Sequence, residues 1–127
     1  MNFLNLTPHS ITILDAENVP VKIDRTEVSA GRFLLLRANT QKTIIGKIGD
    51  INITKTVFGA AELVTVDAKG QSPQPYLETI KADFLIVSQI ALNACNGEFT
   101  GITCYSPGEL LRDDKGQPIG AQGLSSL

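Results

Sequence analysis

The stretch Asp83 to Asn96, DFLIVSQIALNACN, changes its hydrophobic period at Ser88. Phe84-Leu85-Ile86-Val87 is a continuous apolar run with two β-branched members, which suits a strand buried on both faces. Ser88 supplies a hydroxyl that accepts from the free N–H groups of a helix start, so it reads as an N-cap. Beyond it, Val87, Ile90, Ala91, Ala94 and Cys95 share one helical face, leaving Gln89, Leu92, Asn93 and Asn96 on the other. Asn96-Gly97 is a helix stop. The stretch therefore predicts a central strand that turns into one short helix with a polar outer face, a place suited to a site.

On the N-terminal side, Pro8 removes a backbone donor and pushes Thr7 towards extended geometry, so an edge strand or a bulge is expected there. Ile11–Leu14 and Val19–Ile23 form a hairpin around Asp15–Asn18. Arg32–Ala38 reads as another strand. Thr43–Ile48 and Ile51–Phe58 flank Gly49-Asp50, a two-residue turn, and make a second hairpin. In its second strand Ile51, Ile53 and Val57 share a face with Lys55, which either snorkels at the strand end or faces a pocket. Ala61–Asp67 reads equally as a strand or as one irregular helical turn. Lys69–Pro75, KGQSPQP, is a surface loop. On the C-terminal side, Glu109–Arg112 and Gln117–Gly120 bracket the turn Asp113–Gly116. Six or seven short strands with one helix predict an α+β fold of mostly antiparallel β-hairpins packed with one short central helix, as a single domain over residues 1–127.

The 127 residues, 43% of them hydrophobic and 19% charged, describe a globular chain rather than a disordered one. A net charge of −2 argues against a duplex nucleic-acid binder, which needs a dense basic footprint. It leaves room for a small anionic ligand, since a pocket needs only two or three local cations. No run approaches the ~20 apolar residues of a membrane span, and Met1–Asn5 does not resemble an export signal, so a cytoplasmic protein is expected. The two cysteines, Cys95 and Cys104, are then expected as free thiols, with Cys95 a small core residue.

Catalytic constellations are thin. The single histidine, His9, rules out a histidine-rich metal site, and two separated cysteines do not make a structural zinc site alone. No glycine-rich phosphate loop occurs, and Asp113-Asp114 is explained by its turn. No catalytic residue, metal or cofactor is expected. The remaining set suits binding. Arg32, Arg37, Lys47, Lys55 and Arg112 lie along strands, while Phe58, Phe99 and Tyr105 offer stacking faces. Arg presents a planar fork to phosphates and can cover an aromatic base. Asn93 presents both amide donor and acceptor groups to a base edge or to ribose hydroxyls.

Asn5-Leu6-Thr7-Pro8-His9 before Ile11-Thr12-Ile13 resembles the start of a group of small phage and prophage proteins. The strand–Ser–helix of Ile86-Val87-Ser88 to Ala94, the Phe58-Gly59 step and the ending Leu111–Gly116 through Ile119-Gly120 match the same group. Together they resemble the first-described Thoeris anti-defence family, phage sponges for cyclic ADP-ribose signals. The resemblance implies a non-enzymatic protein that sequesters glycocyclic ADP-ribose without cleaving it. It also implies a homodimer or higher homo-oligomer with ligand pockets between subunits, and in some members a separate site for cyclic oligonucleotides. Carried over residue by residue, Asn93 and Arg112 match directly, and Arg37, Lys55 and Phe58 match by neighbourhood. A late basic residue of the terminal hairpin is missing unless Lys115 substitutes, since position 117 is Gln. The competing expectations are a small phage structural or assembly protein with no nucleotide ligand, and a cyclic-nucleotide hydrolase.

Overall fold

Two β-sheets meet at the buried segment Asn5–Thr7. The computed structural model describes residues 2–127, the side chains of Thr40, Phe58 and Pro118 excepted. The first sheet contains β1 (Phe3–Asn5), β2 (Ile11–Leu14), β3 (Pro20–Ile23), β8 (Phe84–Ile86), β10 (Ile102–Arg112) and β11 (Pro118–Ser125) in the order β1-β8-β10-β11-β2-β3, with β9 (Glu98–Phe99) paired to β10. The second has the order β4-β5-β6-β7, from β4 (Glu27–Ser29), β5 (Arg32–Ile48), β6 (Ile51–Val66) and β7 (Gln74–Pro75). The helix is α1, Gln89–Ala94.

This corrects the expected α+β class. The protein is mostly β, 57% strand against 5% helix, with no helix of seven residues or more and a nearly closed, barrel-like sheet. The short helix packs on the sheets but does not form a layer of its own. Three of the strand pairings, β1 with β8, β8 with β10 and β11 with β2, are also parallel rather than antiparallel.

The segment following β1 joins the sheets. Leu6 N–H donates to Ile86 O of β8 at 2.8 Å, and Leu36 N–H of β5 donates to Leu6 O at 3.1 Å. The buried Asn5 side chain accepts from Thr7 N–H and the Thr7 hydroxyl and donates to His9 O and Ile23 O. Asn5–Thr7 of the Asn-Leu-Thr-Pro-His motif is thus a satisfied buried polar staple, while Pro8 and His9 are exposed. Between the sheets Leu6, Leu34, Leu36, Leu85, Val87, Ala91, Leu92 and Cys104 form the core.

The largest departure is the hairpin of β5 and β6. Arg32–Ala38 and Thr43–Ile48 are one strand, and Ile51–Phe58 continues through Ala61–Val66 as another, which settles Ala61–Val66 as strand and leaves Asp67 at the start of the following turn. The polar residues Asn39–Lys42 look like an interruption in sequence. They remain strand because the partner ladder continues past them and the side chains of Asn39, Gln41 and Lys42 are exposed to water. The terminal hairpin β10–β11 depends on Gly108, where a Cβ would collide with the carbonyl of Gln122.

Candidate functional site

Helix α1 meets the long hairpin where that hairpin leaves the body. The ladder there carries a bulge, with Gly59 and Ala60 opposing Asn39 between the pairs Ala38–Ala61 and Thr40–Phe58. Gly59 approaches Asn39 closely, since a Cβ at that position would lie 3.3 Å from Asn39 O. A bulge re-aims the side chains around it, and three clefts share this junction. One of about 470 Å³ is lined by Gly59, Ala60, Ile90, Asn93 and Ala94. A second of about 400 Å³ is lined by Asn39, Gln41, Val57 and Gly59. The third, about 320 Å³, is lined by Arg37, Ala38, Asn39 and Glu62.

The helix face differs from expectation. Ala91 and Leu92 are fully buried, whereas Ile90 is 53% exposed. A six-residue helix spans fewer than two turns, so its inward direction is set by the flanking strands, and it is rotated by about one residue from the face the periodicity marks. Ile90 and Asn93, three apart, therefore share the outer face and both enter the first cleft. Ser88 caps the helix as expected, its Oγ accepting from Ala91 N–H at 3.2 Å.

A chain of hydrogen bonds orients Asn93. The buried Ser106 hydroxyl donates to Gln89 Oε1 at 2.9 Å, and Gln89 Nε2 donates to Asn93 Oδ1 at 3.4 Å. This leaves Asn93 Nδ2 as the outward donor. Gln89 and Ser106 are positioning residues that sequence reading missed. Their signal was Gln89 one turn before Asn93, but Ser106 comes from β10 and its neighbourhood is purely tertiary.

The remaining expected residues are dispersed. Arg37 lines the third cleft and is held there by Glu62, its cross-strand neighbour, with Nε to Oε1 at 2.8 Å. Lys55 lies on the distal half of the hairpin, exposed and opposite Thr43. Phe58 pairs with Thr40 beside the bulge, and its side chain lies outside the described residues. Arg112 is exposed and donates from Nη1 to Gly116 O at 2.9 Å. It lies six residues beyond Ser106 on β10, about 20 Å at the strand rise. Lys115 is in the same turn, exposed, its backbone N–H donating to Asp113 Oδ1. The cleft at Asn93 therefore receives neither Arg112 nor Lys115 from its own chain.

Others of the basic and aromatic set serve the scaffold. Arg32 Nη2 donates to Thr65 O, Thr65 Oγ1 and Ser72 O, pinning the Lys69–Pro75 loop to β6. Tyr105 meets Phe84 edge-on, and Phe84 stacks on Phe3 with centroids 5.0 Å apart. Burial, and then the neighbouring Cys95, push the Cys104 thiol up to about 12. His9 is exposed. Among the described residues no group of three or more His, Cys, Asp and Glu side chains could hold a metal ion, and no helix is long and apolar enough to cross a membrane.

No protein-family model, curated protein or solved structure matches the chain.

Proposed function

We propose that this protein binds a cyclic ADP-ribose-type nucleotide, glycocyclic ADP-ribose in the first instance, and sequesters it without cleaving it. The observation that carries this reading is the cleft at the hairpin bulge, where Asn93 offers an oriented amide donor beside the apolar Ile90 and Ala94. Asn39 and Gln41 in the adjoining cleft add neutral donors and acceptors of the kind that read base edges and ribose hydroxyls. The sequence resemblance to phage anti-defence sponges supports the same ligand class and, with it, a location in the cytoplasm of an infected bacterial cell.

Phosphate neutralisation then falls to Arg112 and Lys115 of a second copy, since about 20 Å of strand separates them from their own chain's cleft. Retention of the ligand calls for tight binding rather than chemistry. At nanomolar affinity the binding free energy is about −12 kcal/mol, and charge-assisted contacts of about 1.5–3 kcal/mol each supply part of it.

The test is incubation with a panel of cyclic nucleotides, removal of free ligand, heat release and chromatography. The expected result is glycocyclic ADP-ribose recovered intact. Recovery of a cleaved product would replace this reading with a cyclic-nucleotide hydrolase, and retention of nothing would remove it. A second reading, a small phage structural or assembly protein with no nucleotide ligand, draws on the exposed apolar side chains of the distal β5–β6 hairpin, where Ile48 is 68% and Ile51 71% exposed.

A further inference from the structure

The two cysteines of the chain, Cys95 and Cys104, are brought together by the turn that leaves the helix. Gly97 N–H donates to Leu92 O at 3.1 Å, and both Asn96 and Gly97 have positive φ, which ends α1 in a tight left-handed cap. The chain then enters β9, reverses at Thr100-Gly101, where φ is 49° and 82°, and returns as β10. Cys104 N–H donates to Gly97 O at 2.9 Å, which carries that ladder up to the foot of the helix. Cys95 lies one turn after Ala91, on the inward face of the helix, and packs on the core that contains Ala91, Leu92 and Cys104. Its thiol is within hydrogen-bonding reach of Cys104. The other partners of the two thiols are weak, Leu92 O at 3.5 Å from Cys95 Sγ and Ile102 O at 3.6 Å from Cys104 Sγ.

The pair is unequal. Cys104 is 1% exposed, whereas Cys95 is only partly buried. Burial also holds the proton on Cys104 at neutral pH. Cys95 is therefore the thiol that a small molecule meets first.

We infer that Cys95 and Cys104 are a redox pair, which a low-molecular-weight disulfide such as oxidised glutathione closes into an intramolecular bridge across the foot of α1. The Cys95 thiolate attacks one sulfur of glutathione disulfide, whose S–S bond breaks and releases one glutathione. Cys104, losing its proton, then attacks the Cys95 sulfur of the mixed disulfide and expels the second glutathione. One dithiol and one small disulfide become one protein disulfide and two glutathione thiols, which carry the two protons. In a reducing compartment such a bridge is a transient state rather than a staple. Its effect follows from its place. Cys95 adjoins Ala94 and is two residues from Asn93, both of which line the first cleft, while Cys104 is two residues before Ser106, which orients Gln89. A six-residue helix is too short to hold itself, so a covalent tie at its foot suppresses its local opening. The bridge stands whether or not the protein binds a nucleotide.

The test exposes the folded full chain to millimolar oxidised glutathione at neutral pH, then blocks free thiols and digests the product. Tryptic cleavage after Lys81 and Arg112 leaves both cysteines in one peptide, residues 82–112, and cleavage after Glu98 separates them unless they are bridged. The expected product is this peptide short of two hydrogens, still joined after cleavage at Glu98 and parted by dithiothreitol. Amide hydrogen exchange over residues 92–97 should slow about tenfold in the bridged chain. Cys104→Ala, with folding confirmed by circular dichroism, should stop at glutathione on Cys95, and Cys95→Ser should take up none. A wild type that stays a dithiol, stops at the glutathione adduct or bridges only between chains overturns the proposal. So does a bridged chain whose amides in this segment exchange as fast as before, since the bond then holds nothing.

Discussion

The two halves of one hairpin are built to opposite rules. Near the body, Leu34 and Leu36 of β5 are 1% and 0% exposed, and Val64 and Val66 of β6 are 3% and 1%. A dozen residues along, Ile48 and Ile51 are 68% and 71% exposed although the same ladder joins them. Backbone pairing therefore does not explain burial. What differs is the neighbour: the proximal half lies against α1, β8 and the Asn5–Thr7 staple, while the described side chains of the distal half are almost all exposed. The bulge at Gly59–Ala60 marks the change, and the candidate ligand cleft lies there.

The sharpest way to break this comparison is to shorten a side chain in each half. Leu36→Ala should cost about 2–5 kcal/mol of stability through lost burial and a cavity. Ile51→Ala in the dissociated chain should change stability by no more than about 0.5 kcal/mol. Denaturant titration of dilute protein measures both, and equal losses would mean that the distal hairpin folds back on its own body.

Arg112→Ala should leave stability unchanged and weaken nucleotide binding by about 2–3 kcal/mol, by removing a charge-assisted contact contributed from a neighbouring copy. Calorimetry with glycocyclic ADP-ribose decides it, and unchanged affinity would take Arg112 out of the site. Asn93→Ala should cost about 1–3 kcal/mol of binding by leaving polar ligand atoms unpaired. Its stability should hold or rise by about 0.6 kcal/mol, because Ala is the better helix former and Asn93 is exposed. A large stability loss without a binding effect would make Asn93 structural.

Ser88→Ala should cost about 1 kcal/mol, the usual value of a helix cap, read from the melting temperature. An alkaline series gives the smallest effect. The Cys104 thiol binds its proton more tightly folded than unfolded, so its contribution to stability is intact below 9.0 and fades as the pH climbs towards about 12. A Cys104→Ala variant should lose this part of the alkaline decline, whereas substitutions in the distal hairpin should leave it unchanged. Identical pH profiles for wild type and Cys104→Ala would show that the buried thiol contributes nothing.

Local chemistry was legible wherever one short segment contained its own cause. Ser88 caps its helix, Asn96 and Gly97 leave it with positive φ, and Asp113–Gly116 closes the terminal hairpin as expected. Asn93 was singled out as an outward polar residue and lines a cleft. The helix face was misread because six residues contain too little periodicity to show which side the strands will cover. The α+β expectation failed for a related reason: the alternation that marks a strand does not reveal that Asn39–Lys42 continues one, or which strand it joins.

The amino-acid sequence by itself determined the caps, the turns, the buried run Leu85–Val87 and the chemical types available for binding, because each depends on neighbours within a few residues. Only the tertiary structure decided that the strands form two sheets with parallel pairings, and that Ser106 holds Gln89 and through it Asn93. It also decided that Arg112 lies far from its own cleft and that Ile48 and Ile51 of the distal hairpin are left exposed by their own chain. Those outcomes depend on which surfaces meet across long sequence separations, and hydrophobic pattern records that a residue prefers burial without recording what will bury it.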